Sequence, residues 1–201
     1  MTELDTARRN AVLADLRTRL AEPHRHYHGQ SHVDALLADL DERRDTFHDP
    51  EAVELAVWFH DAVYAPGAAD NERASAVLLR MAMDGVAPEQ RVAAAEAMVL
   101  ATERHAVPPG LPAPLAADLA AFLDMDMAVL GATPSAYDRY AAGVAAEFVP
   151  VVGTAAYRLG RAAFLRGVLD RGRPLFHTPA ARSALDRPAR ANLRRELDGL
   201  A

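Results

Sequence analysis

The sequence contains neither cysteine nor lysine. The first absence excludes a disulfide scaffold, a thiol nucleophile, an iron–sulfur cluster and cysteine-ligated zinc. The second excludes a Schiff base on the chain and a phosphate-binding Walker loop, which requires Gly-Lys-Ser/Thr. All 22 basic side chains are therefore arginine. Aromatic residues are scarce, and no apolar run approaches the ~18 residues that span a membrane. Excess positive charge is missing too: the net charge is −6, which argues against holding a nucleic-acid polymer through counterion release. Residues 1–20 read as a charged amphipathic helix without the apolar core of a signal peptide, so a cytoplasmic location is expected. What remains for chemistry is His, Asp, Glu, Ser, Thr, Tyr and Arg, and any metal site must use nitrogen and oxygen ligands.

The 201 residues are 51% hydrophobic, enough for one domain with a sizeable core. Alanine, the best helix former, occurs 44 times, and apolar residues recur at helical spacing almost throughout. Helices are predicted over Leu4–Leu20 and from His32, where Ser31 can cap, through Leu40. Asp49 and Pro50 open a third, running through Trp58 to about Tyr64. Others follow over 70–84, from Pro88 to about Glu103, from Leu115 to Leu130, from Thr133 to Phe148 and from Thr154 to about Asp170. Two short arginine-rich helices are expected at 178–186 and 188–199. No segment alternates like a strand, and the expected fold is all-α.

Four of the eight histidines, His24, His26, His28 and His32, fall within nine residues. Pro23 and Gly29 make most of that segment a loop, and a loop feeding imidazoles to a helix N-terminus is a natural place for a site. His60-Asp61 interrupts the apolar run Val57–Tyr64, where two strongly polar residues are costly unless paired or bound to a metal. His48-Asp49 serves as an internal control: it precedes Pro50, where Asp49 has the position of a helix cap and His48 that of a solvated side chain. A third polar pair, Asp124 and Asp126, lies within the apolar stretch Phe122–Leu130, about 200° apart on a helix, so one of the two faces inward. His32, His60, Asp61 and one of Asp124 and Asp126 supply two imidazoles and two carboxylates, a set suited to Mn, Fe, Co, Ni or Zn and less often Mg.

These elements resemble the HD superfamily of metal-dependent phosphohydrolases, whose pattern is His…His-Asp…Asp on a helical core, and within it a small bacterial group of predicted HD phosphohydrolases. The matching segments are Arg25–His32, Trp58–Tyr64, Asn71–Ser75, Ala101–His105, Phe122–Asp126 and Tyr157–Arg161. The resemblance implies an HD-like helical bundle over 1–201, with a metal core at about 20–130 and C-terminal helices at about 133–199. The segment around His28 is also similar to the Tyr-His-Asn-x-x-His signature of cyclic-nucleotide phosphodiesterases, although Gly29 stands where that signature has asparagine. That similarity implies a proton-donating role for His28 and a metal-binding role for His32, and it favours Asp126 over Asp124 as the fourth ligand. Asp124, and with it Glu72, would then support the ligands or hold a second ion.

The resemblance implies hydrolysis of a small phosphate ester, such as a nucleotide, assisted by one or two divalent ions that Asp61 is placed to bridge. Arginine must supply any phosphate-binding cation, and Arg104, Arg158 and Arg161 are the candidates, with His105 as a further substrate contact. Two other functions fit the same scaffold: a di-iron oxygenase, which needs additional histidine ligands, and a non-catalytic ligand-binding protein. A homodimer is compatible with a small helical enzyme.

Overall fold

The computed structural model describes residues 3–170, 172 and 174–200. Among these the chain is all-α, with nine α-helices, two 3-10 turns and no strand. It divides into two compact units, Met1–Leu123 and Asp124–Ala201.

The first unit holds α1 (Glu3–Leu20), α2 (Gln30–Glu42), α3 (Pro50–Phe59), α4 (Asn71–Met83), α5 (Glu89–Ala101) and most of α6 (Ala113–Asp126). Between Ala52 and Phe59 every residue of α3 except Glu54 is buried. A helix that is apolar on all sides belongs at the centre of its unit, and α2, α4 and α5 pack around it. Its start is as the sequence predicts. Asp49 accepts the Ala52 N–H at 3.0 Å, Pro50 occupies the first turn, and His48 is exposed. The buried Asp118 carboxylate accepts the amides of His48 and Asp49 at 2.9 and 2.8 Å.

Two expectations about this unit are corrected. α2 starts at Gln30 with Gly29, not Ser31, at the cap position. A Cβ on Gly29 would stand 3.0 Å from the Leu20 carbonyl oxygen, so the close approach of α1 requires glycine there. α3 stops at Phe59 rather than Tyr64, leaving His60 as its C-cap and Asp61 in the turn beyond. The Val63 N–H, which a continuing helix would direct at the Phe59 carbonyl, goes instead to Ser75 Oγ at 3.0 Å.

The second unit contains the 3-10 turn Met127–Gly131, α7 (Pro134–Val152), α8 (Thr154–Leu169) and α9 (Pro179–Leu200). Leu130, Tyr137, Leu165, Val168, Phe176 and Leu193 form its core. The helix expected to reach Leu130 ends at Asp126 and tightens into the 3-10 turn, and the Asn192 side-chain amide donates to the carbonyls of Leu130 and of Ala132, the residue that caps the turn, both at 2.9 Å. α7 continues past Phe148 through Pro150.

The two C-terminal helices predicted on either side of Pro188 are one helix. An internal proline costs about 3 kcal/mol, but the buried Ala189 and Leu193 continue the packed face beyond it. The Asp186–Arg190 ion pair, 2.8 Å long, links the residues two before and two after the proline. Inside this unit Arg161 and Glu196 form a buried ion pair at 2.7 Å, joined by the phenol of Tyr137. Burial and the bond to Glu196 push the Tyr137 phenol well above its ordinary range, so it remains a donor.

Candidate metal centre

His32 lies in the first turn of α2, His60 caps the C-terminus of α3, and Asp61 follows it. His32 is 8% exposed and His60 3%. One ligand atom from each of the three side chains lies within 4.8 Å of the others, and among the described residues this is the one such group of His, Asp and Glu.

The tautomers follow from the hydrogen bonds. His60 Nδ1 is 2.9 Å from the Val57 carbonyl oxygen, which can only accept, so Nδ1 carries the proton. A neutral His60 therefore turns a bare Nε2 lone pair into the site. That atom meets His32 Nε2 at 3.2 Å and Asp61 Oδ2 at 3.1 Å. Asp61 Oδ2 is buried and has no hydrogen-bond partner. Burial would raise the Asp61 carboxyl, yet in the protonated state of the histidines the charge and hydrogen bond of His60, with the charges of His28 and His32, outweigh it and hold the group far below the usual carboxylate range. His32 Nε2, His60 Nε2 and Asp61 Oδ2 thus converge on one buried point, where either a proton on His32 Nε2 or a metal ion can meet the His60 lone pair. Two imidazole nitrogens and a carboxylate oxygen, with a backbone carbonyl fixing one ring, fit a divalent transition ion.

Aromatic rings wall this group. Tyr27 contacts both His28 and His32 at a centroid distance of 4.9 Å, and Phe122 meets His60 edge-on at 6.0 Å. His28 is half-buried and stacks on Tyr64 at 4.5 Å, with its ring centroid 6.4 Å from that of His32. His24 lies over the same tyrosine at 6.3 Å.

The other predicted residues have different surroundings. Glu72 stands half-buried in the first turn of α4. Arg104 is exposed, with a loose 3.8 Å ion pair to Glu103. His105, just beyond α5, has φ 45°, the only positive value at a non-glycine among the described residues. Asp124, Asp126, Arg158 and Arg161 belong to the second unit. Asp124 accepts the backbone amides of His177 and Thr178 at 2.6 and 2.7 Å. Asp126 ends α6 and its charge contributes to raising the Tyr140 phenol, after the larger effect of burial. Arg158 donates to the Leu200 carbonyl at 2.9 Å, and Arg161 is taken up by Glu196 and the face of Tyr140.

Sequence reasoning missed Arg25 and Ser75 as individual residues, although both lie in segments it singled out. The side chain of Arg25 is 1% exposed and points at backbone carbonyls rather than at a carboxylate alone. Asn71 and Ser75, one turn apart on α4, both bond the segment after Asp61. The available signal was that i, i+4 spacing directly behind a short Pro-Gly loop. Comparison with protein families, with curated proteins and with solved structures finds no match for this chain.

Proposed function

We propose that the chain is a metal-dependent phosphohydrolase of the HD type, acting in the cytoplasm on a small phosphate ester such as a nucleotide. The observation that carries the reading is the convergence of His32 Nε2, His60 Nε2 and the buried Asp61 Oδ2. It is supported by the resemblance of six sequence segments to that superfamily.

His32, His60 and Asp61 would hold the ion, which when bound lowers the pKa of water and polarises a phosphoryl oxygen. The chain's own part is mainly positional. Val57 fixes the His60 ring so that Nε2 faces the site. Asp61 Oδ2, 3.1 Å from His60 Nε2, supplies the carboxylate of the set. His28, held against Tyr64, is the group to protonate a leaving oxygen. The walls formed by Tyr27, Tyr64 and Phe122 limit water around the imidazoles. Arg104 is the exposed cation of the first unit from the predicted set, suited to an incoming phosphate.

Elemental analysis of the purified protein beside Asp61→Ala tests this. One or two divalent ions per chain are expected in the parent and none in the variant, followed by hydrolysis of phosphate esters with the ion so named. Two irons per chain would point to the oxygenase. Absence of metal after incubation with Mn, Ni, Co or Zn would refute the proposal.

A further inference from the structure

We propose that Arg25 is a positioning residue for the His32–His60–Asp61 centre: its guanidinium ties the histidine loop to the turn that carries Asp61. The inference rests on the metal reading above and assigns a role to a residue outside the ligand set.

The turn after α3 is held in an unusual way. Each of its consecutive carbonyls from Asp61 to Ala65 accepts a hydrogen bond from a side chain. Arg25 Nη1 donates to Asp61 at 2.6 Å and Arg25 Nη2 to Ala62 at 3.3 Å. Ser75 Oγ donates to Val63 at 3.2 Å, His24 Nε2 to Tyr64 at 3.0 Å, and Asn71 Nδ2 to Ala65 at 3.0 Å. The amides of Val63 and Ala65 bond back to Ser75 and Asn71, both at 3.0 Å. A segment held at every carbonyl by side chains is one whose path is not set by its own residues.

Arg25 occupies the end of this clamp nearest the ligands. Its second Nη1 proton goes to the His28 carbonyl at 3.0 Å, and Nε goes to Glu22 at 3.0 Å. Four of the five N–H bonds of the fork are therefore used, three of them on carbonyls. The guanidinium also lies over the Tyr64 ring at 5.4 Å, the ring on which His28 stacks. One buried cation thus fixes the backbone from which His28 springs and the backbone from which Asp61 springs.

Without that restraint, residues 60–64 can continue α3, whose apolar sequence favours it. Each residue of helix turns a side chain by about 100°. Such a continuation would swing Asp61 away from the imidazoles while leaving the core of α3 intact. Lysine cannot substitute, because a single ammonium does not span three carbonyls in the plane of a fork.

The test uses full-length protein, stripped with a chelator and titrated with Co(II), following visible absorption and affinity. The thermal transition of each metal-free variant is recorded beside it. Arg25→Met is expected to bind Co(II) about tenfold to a hundredfold more weakly, with shifted absorption bands. Arg25→Lys, which keeps the charge beside Glu22, should fail to restore either. Co(II) affinity within threefold of the parent and an unchanged spectrum in Arg25→Met would overturn the inference, even if the variant melts earlier. Should both arginine variants fail to fold, Asn71→Ala decides. It removes the outermost tie, and a shifted spectrum with weaker binding supports the clamp, whereas parental values overturn it. A parent protein that takes up no Co(II), Mn(II), Ni(II) or Zn(II) overturns the metal reading as well, whereas a parent that binds beside variants that bind equally overturns this inference alone.

Discussion

Asp124→Ala separates a structural carboxylate from one reserved for an ion. Asp124 is 4% exposed and accepts the amides of His177 and Thr178 at 2.6 and 2.7 Å, immediately before α9. Thr178 Oγ1 in turn accepts the Ala181 N–H at 3.2 Å, so the carboxylate secures the residue that caps the helix. Hydrogen bonds to a charged group contribute about 1.5–3 kcal/mol each, which bounds the pair at about 6 kcal/mol. His177 and Thr178 are half-buried, so water reaches part of what is vacated, and the expected loss is about 2–4 kcal/mol. Asp124→Asn keeps one acceptor but turns an amide N–H toward the second donor, and should lose about half as much. Urea unfolding followed by far-UV circular dichroism, with chelator present, measures both variants. A loss within about 0.5 kcal/mol, as at an ordinary surface site, would refute the structural role. So would a loss that appears only when Co(II) is added.

Two further outcomes follow from single contacts. Gly29→Ala should cost about 1–3 kcal/mol in urea unfolding, because the new methyl meets a backbone oxygen at 3.0 Å rather than a yielding side chain, and parental stability would refute that. The Asp186 carboxyl is subject to burial, which raises it, but the Leu175 amide and the Arg190 guanidinium outweigh this and hold it low. Its folded value lies below the unfolded ~3.9, so its ionised form stabilises the fold above that pH, and this contribution drains away as pH falls toward the folded value. The stability difference between the parent and Asp186→Asn should therefore be widest near neutrality and shrink below about pH 4, and a difference constant to about pH 3 would contradict the assignment.

The helices were readable where the controlling interactions are local. Asp49 and Pro50 announce α3 because a cap and a first-turn proline act within four residues. The far end of α3 was not readable. Nothing in Phe59–Tyr64 breaks a helix, and the groups that stop it, Ser75, Arg25 and Asn71, lie elsewhere in the chain. Pro188 misled in the opposite direction. A proline is a strong local signal, but the buried Ala189 and Leu193 beyond it and the Asp186–Arg190 pair across it outweigh the lost bond.

The same distinction governs the site. His32, His60 and Asp61 stood out because polar residues in apolar surroundings are costly, and that cost is written into composition and spacing alone. Arg161 lay in a segment matching the resemblance and carried the right charge for phosphate, yet Glu196, 35 residues away, takes its guanidinium. Arginine gives no sequence sign of whether its partner is a ligand, a carboxylate or a carbonyl, because all three use the same fork. Arg25 is the counterpart: a cation with a carboxylate nearby whose main work is on three carbonyls, and carbonyls belong to every residue. Candidate ligand atoms can therefore be read from residue identity, whereas the groups that hold the surrounding turn act on backbone, which carries no identity to read. That asymmetry makes the clamp around Asp61 invisible in the sequence even though Arg25, Asn71 and Ser75 lie in segments the resemblance had already marked.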